Sequence, residues 1–169
     1  MEIRELQECD RTAFIELDQI CLMHPSAKGY IKPHTATVID EFANKDRFLS
    51  VGMFNNDDLV GSIQIRKSPK DILCFNDNKR IFGDDKSFCH ATGARVHPDF
   101  RQRKLATMML EHSINQLKKD YDVMTALILP LNYVSLKTLR GLRFGQFGVH
   151  VYTEEQDKES WLIFGKFLS

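Results

Sequence analysis

The sequence predicts an α+β domain built on one mixed, mostly antiparallel sheet of about seven strands flanked by about four helices. Three observations carry this. RFLSVGMF and LVGSIQIR, two runs rich in aliphatic residues around the polar NNDD, read as a β-hairpin. VMTALIL, ending at Pro130, is a short unbroken apolar run of the kind found in a strand buried on both faces. Other segments repeat apolar residues every three or four positions, the period of a helix packed against a core.

In chain order, Met1 to Leu6 is a short edge strand, and Asp10 caps a helix whose apolar positions are Phe14, Leu17, Ile20 and Cys21. Pro25, Gly29 and Pro33 break the chain in HPSAKGYIKPH, a loop with aromatic and basic tips, and Thr35 then caps a short helix carrying Val38, Ile39 and Phe42. After the hairpin, residues 67–86 mix turn residues with apolar islands and fit neither period, so they read as an excursion over one face. Ser87 to Val96 is the next strand. The helix after it aligns Leu105, Ala106, Met109, Leu110, Ile114 and Leu117 on one stripe. VMTALIL pairs with Ser87 to Val96. Asn132 opens a last helix that Gly141 closes, and strands Phe144 to Tyr152 and Trp161 to Leu168 flank the polar turn TEEQDKES.

With 169 residues, 43% of them hydrophobic and 27% charged, the chain suits a single domain, 1–169. Lys plus Arg and Asp plus Glu balance at 23 each, so no global field favours nucleic acid or an anionic membrane. Any anion site must be local. Cys9, Cys21, Cys74 and Cys89 have no metal-ligand spacing and form no disulfide framework, which suits a reducing cytoplasm. No run approaches the roughly 18 apolar residues of a membrane span. A monomer or homodimer without metal, nucleic acid or membrane partner is expected.

VHPDFRQRKLATMMLEHS runs from a strand through a tight turn into a helix, whose unpaired N–H groups and dipole favour a phosphate. Arg101, Arg103 and Lys104 gather at that N-terminus, opposite to the dipole's preference, which points to an anion between them. The alternative is a solvated basic helix start.

At these residues the chain resembles the GNAT superfamily of acyl-CoA-dependent N-acetyltransferases. Val96, Pro98, Arg101 and Ala106 stand where that family has Val-x-Pro followed by Arg or Gln, two residues, Gly, one residue, and Gly or Ala; Lys104 replaces the first Gly. NYVSLKTLRGLRF is similar to the family's later helix. The resemblance implies a sheet whose fourth and fifth strands splay apart around the pantetheine arm of acetyl-CoA, the acetyl donor. Residues Arg101, Gln102, Arg103, Lys104, Leu105, Ala106 and Thr107 would then hold the pyrophosphate, with a right-handed helical Lys104 still turning its N–H to the anion. Arg95 and Val96 would offer backbone contacts, with Asn132 and Ser135 on the other side and Lys137 a further phosphate contact. Asn132 reads equally as a plain helix cap.

Acetyl transfer to an amine needs a neutral nucleophile, an oxyanion donor and a proton for the departing thiolate. By the resemblance, the oxyanion donor is a backbone N–H near Val96. His90, six residues before Val96 on the same strand, is the candidate base; its ordinary pKa of about 6.5 suits the task, and the competing reading is a buried strand histidine. Thr92 could share its face. His97 reads as a turn residue, His112 as lying on the wet side of its helix, and His24 and His34 as facing solvent. Tyr30 is a candidate lid residue. Leu139 stands where many family members carry the Tyr that protonates the thiolate, leaving Tyr133, or water, as donor. Asp71, Asp77, Asp84 and Asp85 either attract a cationic acceptor or form a solvated face. The expected activity is acetyl transfer to a primary amine of a small molecule or protein; Lys104 and Leu139 keep open a catalytically weak GNAT-shaped module that binds CoA or a protein partner.

Overall fold

The structure, a computed structural model, describes residues 1–25, 31–154 and 157–168. Its elements are β1 (Glu2–Glu5), α1 (Arg11–Met23), α2 (Ala36–Glu41), β2 (Phe48–Asn55), β3 (Asp58–Arg66), α3 (Phe75–Phe82), β4 (Phe88–Val96), α4 (Leu105–Leu117), β5 (Val123–Ile128), α5 (Tyr133–Gly141), β6 (Gly145–Glu154) and β7 (Asp157–Phe167). The strands form one seven-stranded sheet in the order β1-β2-β3-β4-β5-β7-β6, as expected of a mostly antiparallel α+β domain. Its one parallel pair is β4 with β5.

Strand alternation sends side chains to two faces. Leu49, Val51 and Met53 of β2 meet Leu105, Met109 and Leu110 of α4 and Leu136 and Leu139 of α5 in the larger core. On the opposite face Phe14, Leu17 and Cys21 of α1 pack with Phe42 and Phe54, and Ile72 and Cys74 beside α3 pack with Phe88 and Val123. Among the described residues no helix is long and apolar enough to cross a membrane.

Several local expectations change. The 67–86 excursion contains α3, closed by Gly83 at φ 109°. The hairpin turn is Asn56-Asp57 alone, with Asn56 left-handed at φ 55°. Asp10 does not cap α1 with its side chain; it takes Arg4 at 2.7 Å and the Gln7 N–H at 2.8 Å instead. Gly141 lies inside α5, and the left-handed residue after the helix is Arg143, φ 63°. β6 and β7 extend through most of TEEQDKES, of which Glu155 and Gln156 lie outside the described residues. Thr35 and Asn132 do cap their helices, accepting N–H groups of Val38 and Ser135.

Candidate active site

The sheet opens at its centre. β4 and β5 pair from Phe88↔Val123 to Ala91↔Ala126 and no further. β4 nevertheless continues against β3 to Val96↔Gly61, and β5 continues against β7 to Ile128↔Leu162. The cause lies in β4: Gly93 has φ 61°, and the β3 register slips between Ser62 and Gln64 opposite it, the signature of a bulge that bends its strand. The His97 N–H goes to Val60 of β3 at 2.9 Å, so by strand alternation the Val96 N–H points the other way, into the opening.

The N-terminus of α4 stands at the mouth of this wedge. No side chain caps it and no acidic residue occupies its first turn, so its first N–H groups are available to an anion. Lys104 is not right-handed as expected: φ is 62° and ψ 19°, and Gln102 also has φ 63°. Both non-glycine residues adopt the conformation that a glycine would take at less cost. Leu105 is buried, while Ala106 and Thr107 are half-buried in the first turn. Arg103 is exposed, its guanidinium 5.0 Å over the Phe100 ring. Arg101 folds back, donating to the Val96 carbonyl at 3.3 Å and meeting His24 Nδ1 at 3.1 Å, so it ties the end of α1 to β4. On the other bank Asn132 caps α5, with Ser135 half-buried and Lys137 exposed.

The histidines depart most from expectation. His90 is 4% exposed, and its Nδ1 lies 2.9 Å from Thr125 Oγ1, which accepts from Asn78 at 3.1 Å. Burial, with Arg66 and His150 nearby, pushes its pKa down to about 3. A ring held neutral by burial inside a closed network is poorly suited to take a proton, which weighs against the base role expected of His90. Cys74 is part of the same network, its thiol pushed up to about 11 by burial, which removes it as a nucleophile. His34 does not face solvent: its ring is 5% exposed, stacks on Phe14 and covers Gly93, and burial and the Arg95 charge push its pKa down to about 4. His24 meets Arg101, and His112 is half-buried with a sealed Nε2. His97 is the turn residue expected, accepting from the Asp99 N–H. Tyr30 lies outside the described residues.

Arg95 uses its side chain on the α1 face. Its guanidinium, buried with Asp18 at 2.5 Å, donates to the Lys32 carbonyl at 2.6 Å and so fixes the segment after α1 above the bulge. Leu139 is buried between α4 and α5, whereas Tyr133 is 70% exposed at the start of α5. Of the excursion's acids, Asp71 pairs with Arg47, and Asp77 holds His150 Nδ1 at 2.7 Å and Arg80 at 2.9 Å. Asp84 and Asp85 are solvated, each with only a long lysine contact.

Sequence reading passed over His150 and the pair Lys32–Glu159, 2.9 Å apart across 127 residues. His150 had a usable signal: on a strand, Val149 and Val151 share one face and His150 takes the other. Lys32–Glu159 had none, because both residues are ordinary surface ions until the fold joins them. A hollow of about 510 Å³ beside Glu8, Glu41 and Lys45 lies at the far end of the sheet from the wedge. Among the described residues no cluster could hold a metal ion, and the four cysteines are free.

Comparison with known proteins agrees with this geometry. A family model described as the acetyltransferase (GNAT) family matches residues 5–144. The structure is similar to the ribosomal-protein-S18-alanine N-acetyltransferase of Escherichia coli, with a TM-score of 0.70 and 17% identity over 99% of this chain and 94% of that one. It is similar to a ribosomal-protein-alanine N-acetyltransferase from Brucella melitensis, with a TM-score of 0.71 and 16% identity over 99% of both chains. Arabidopsis thaliana NAA60, solved in complex with acetyl-CoA, superposes with a TM-score of 0.73 at 12% identity over 98% of this chain and 97% of that one. At these identities the likeness is one of fold. No curated protein matches the sequence significantly.

Proposed function

The chain belongs to the acetyltransferase (GNAT) family and is an acyltransferase; on that premise we propose that residues 1–169 act as one domain in the cytoplasm, moving the acetyl group of acetyl-CoA directly to a primary amine. The observation that carries the reading is the opening of β4 from β5 beyond Ala91↔Ala126, beside the uncapped N-terminus of α4. Bound there, acetyl-CoA supplies an activated thioester carbonyl.

The pyrophosphate belongs at the N–H groups of residues 104–107, where the dipole, Arg103 and Lys104 add positive field. Lys137, exposed on α5, is a further phosphate contact. Arg101 acts by holding Val96 in place, since its guanidinium is already bonded to that residue's carbonyl. The Val96 N–H, aimed into the wedge, is the donor for a pantetheine amide or the developing oxyanion. Asn132 keeps its side-chain amide N–H₂ for the opposite bank while its carbonyl oxygen caps α5. A neutral amine attacks the carbonyl, the C–S bond breaks, the thiolate takes a proton from the Tyr133 hydroxyl or water, and the new amide nitrogen gives up its extra proton to water, which restores the donor. His90 supports the floor of the site through Thr125 and Asn78.

A thiol-release assay with acetyl-CoA and a panel of primary amines tests this. An Arg103→Ala/Lys104→Ala double variant should lower kcat/KM for acetyl-CoA about tenfold, because two charge-assisted contacts are lost. An unchanged value would place the nucleotide elsewhere.

A further inference from the structure

We propose that Glu159 is the carboxylate that seats the acceptor's ammonium group, and that Lys32 occupies this seat when no acceptor is bound. The inference rests on the acetyl-transfer reading and adds the acceptor side to it: the ammonium docks on Glu159, gives a proton to water there, and attacks as the neutral amine.

Both ends of the pair are placed by the fold. The Lys32 main chain is fixed, because its carbonyl is bonded to the buried Arg95–Asp18 pair and the ring of His34, two residues on, packs over the Gly93 bulge. Only the Lys32 side chain reaches out, 56% exposed, to the Glu159 carboxylate. On the other side, the β5–β7 ladder ends at Ile128↔Leu162, so Glu159 stands on β7 past the end of β5. Counting on from the last β4–β5 pair, with one β4 residue taken up by the bulge, brings Trp161 about level with Arg95 and Glu159 about level with His97. The pair therefore lies at the open end of the wedge on the α1 face, about one residue beyond Val96, whose N–H points inward.

The occupant has the chemistry of the expected substrate. A lysine side chain is a primary ammonium on an unbranched methylene chain, and Glu159 holds it at hydrogen-bond distance. An exposed pair of this kind is a weak clasp, so an incoming ammonium loses at most about fivefold in affinity by displacing it. Trp161, two residues along β7 on the same face, offers an aromatic surface to the methylene chain or the cation. The acceptor class is thus an alkylammonium on a slender stem, such as a lysine side chain or an aliphatic amine, rather than a planar guanidinium or a neutral amide.

The two partners separate this idea from a simple strap. A strap weakens alike whichever end is removed, whereas a seat and its resident have opposite effects. With n-butylamine as probe, followed by Trp161 fluorescence and by its KM in thiol release, Glu159→Gln should raise both constants about fivefold. Lys32→Met should lower them about threefold, with Lys32→Ala confirming the sign. Shifts in the same direction, no shift in either variant, or no n-butylamine binding to Lys32→Met would overturn the proposal. Calorimetry with acetyl-CoA keeps the two levels apart: failure to bind it overturns the acetyl-transfer reading, while normal binding without a Glu159-dependent amine response overturns the seat alone.

Discussion

Adding one methyl group at Gly93 should destabilise the protein, and adding the same group at Gly141 should stabilise it. At Gly93 an alanine must adopt φ 61°, which costs an L-residue about 1–2 kcal/mol. Its Cβ would also lie 2.3 Å from Cε1 of His34, a ring wedged between Phe14 and the bulge, and overpacking of this kind costs about 1–3 kcal/mol. The sum, about 2–5 kcal/mol, is a large share of a total stability of about 5–15 kcal/mol. At Gly141 nothing lies within 4 Å of the added atom and the residue is helical, so alanine should gain about 0.5–1 kcal/mol. Urea titration followed by circular dichroism reads both, as shifts in midpoint at constant slope. Because the bulge also aims Val96, Gly93→Ala should raise KM for acetyl-CoA in whatever fraction folds. A loss below about 0.5 kcal/mol at Gly93, or shifts of the same sign at both positions, would refute the description of the wedge.

Lys104→Gly should relieve the left-handed strain and raise stability by up to about 1 kcal/mol, while weakening acetyl-CoA binding several-fold; a gain in both would deny Lys104 a phosphate role. His90 and His34 are held neutral, with folded pKa values of about 3 and about 4 against an ordinary 6.5, so the unfolded chain binds more protons below pH 6.5. Stability is fully present above pH 6.5 and should fall as pH drops toward 4, at up to about 1.4 kcal/mol per pH unit for each histidine. A flat urea midpoint from pH 7 to 5 would contradict this. The neutral limb of the pH–rate profile should stay in place in His90→Gln, and its displacement would restore His90 as the base.

The fold was legible wherever the signal was local. The α4 stripe, the hairpin and the VMTALIL strand each follow from spacing within a dozen residues. α3 was not legible, because its eight residues put Asn78 rather than an apolar side chain into the core, where it bonds Thr125. The phosphate turn was legible from its charges, but its backbone was not: only the fold discloses that Gln102 and Lys104 occupy glycine conformations. The long-range ion pairs were the least legible. Arg95–Asp18, His150–Asp77 and Lys32–Glu159 join residues 77, 73 and 127 positions apart, and no short-range pattern announces such pairs.

The central claim is that the wedge and the start of α4 bind the donor despite the lysine in the turn. Calorimetric titration with acetyl-CoA, CoA and 3′,5′-ADP tests it most directly. Saturable binding of all three to one competing site, weakened in Arg103→Ala/Lys104→Ala, is the predicted result. Absence of binding, or binding indifferent to those two residues, would contradict it.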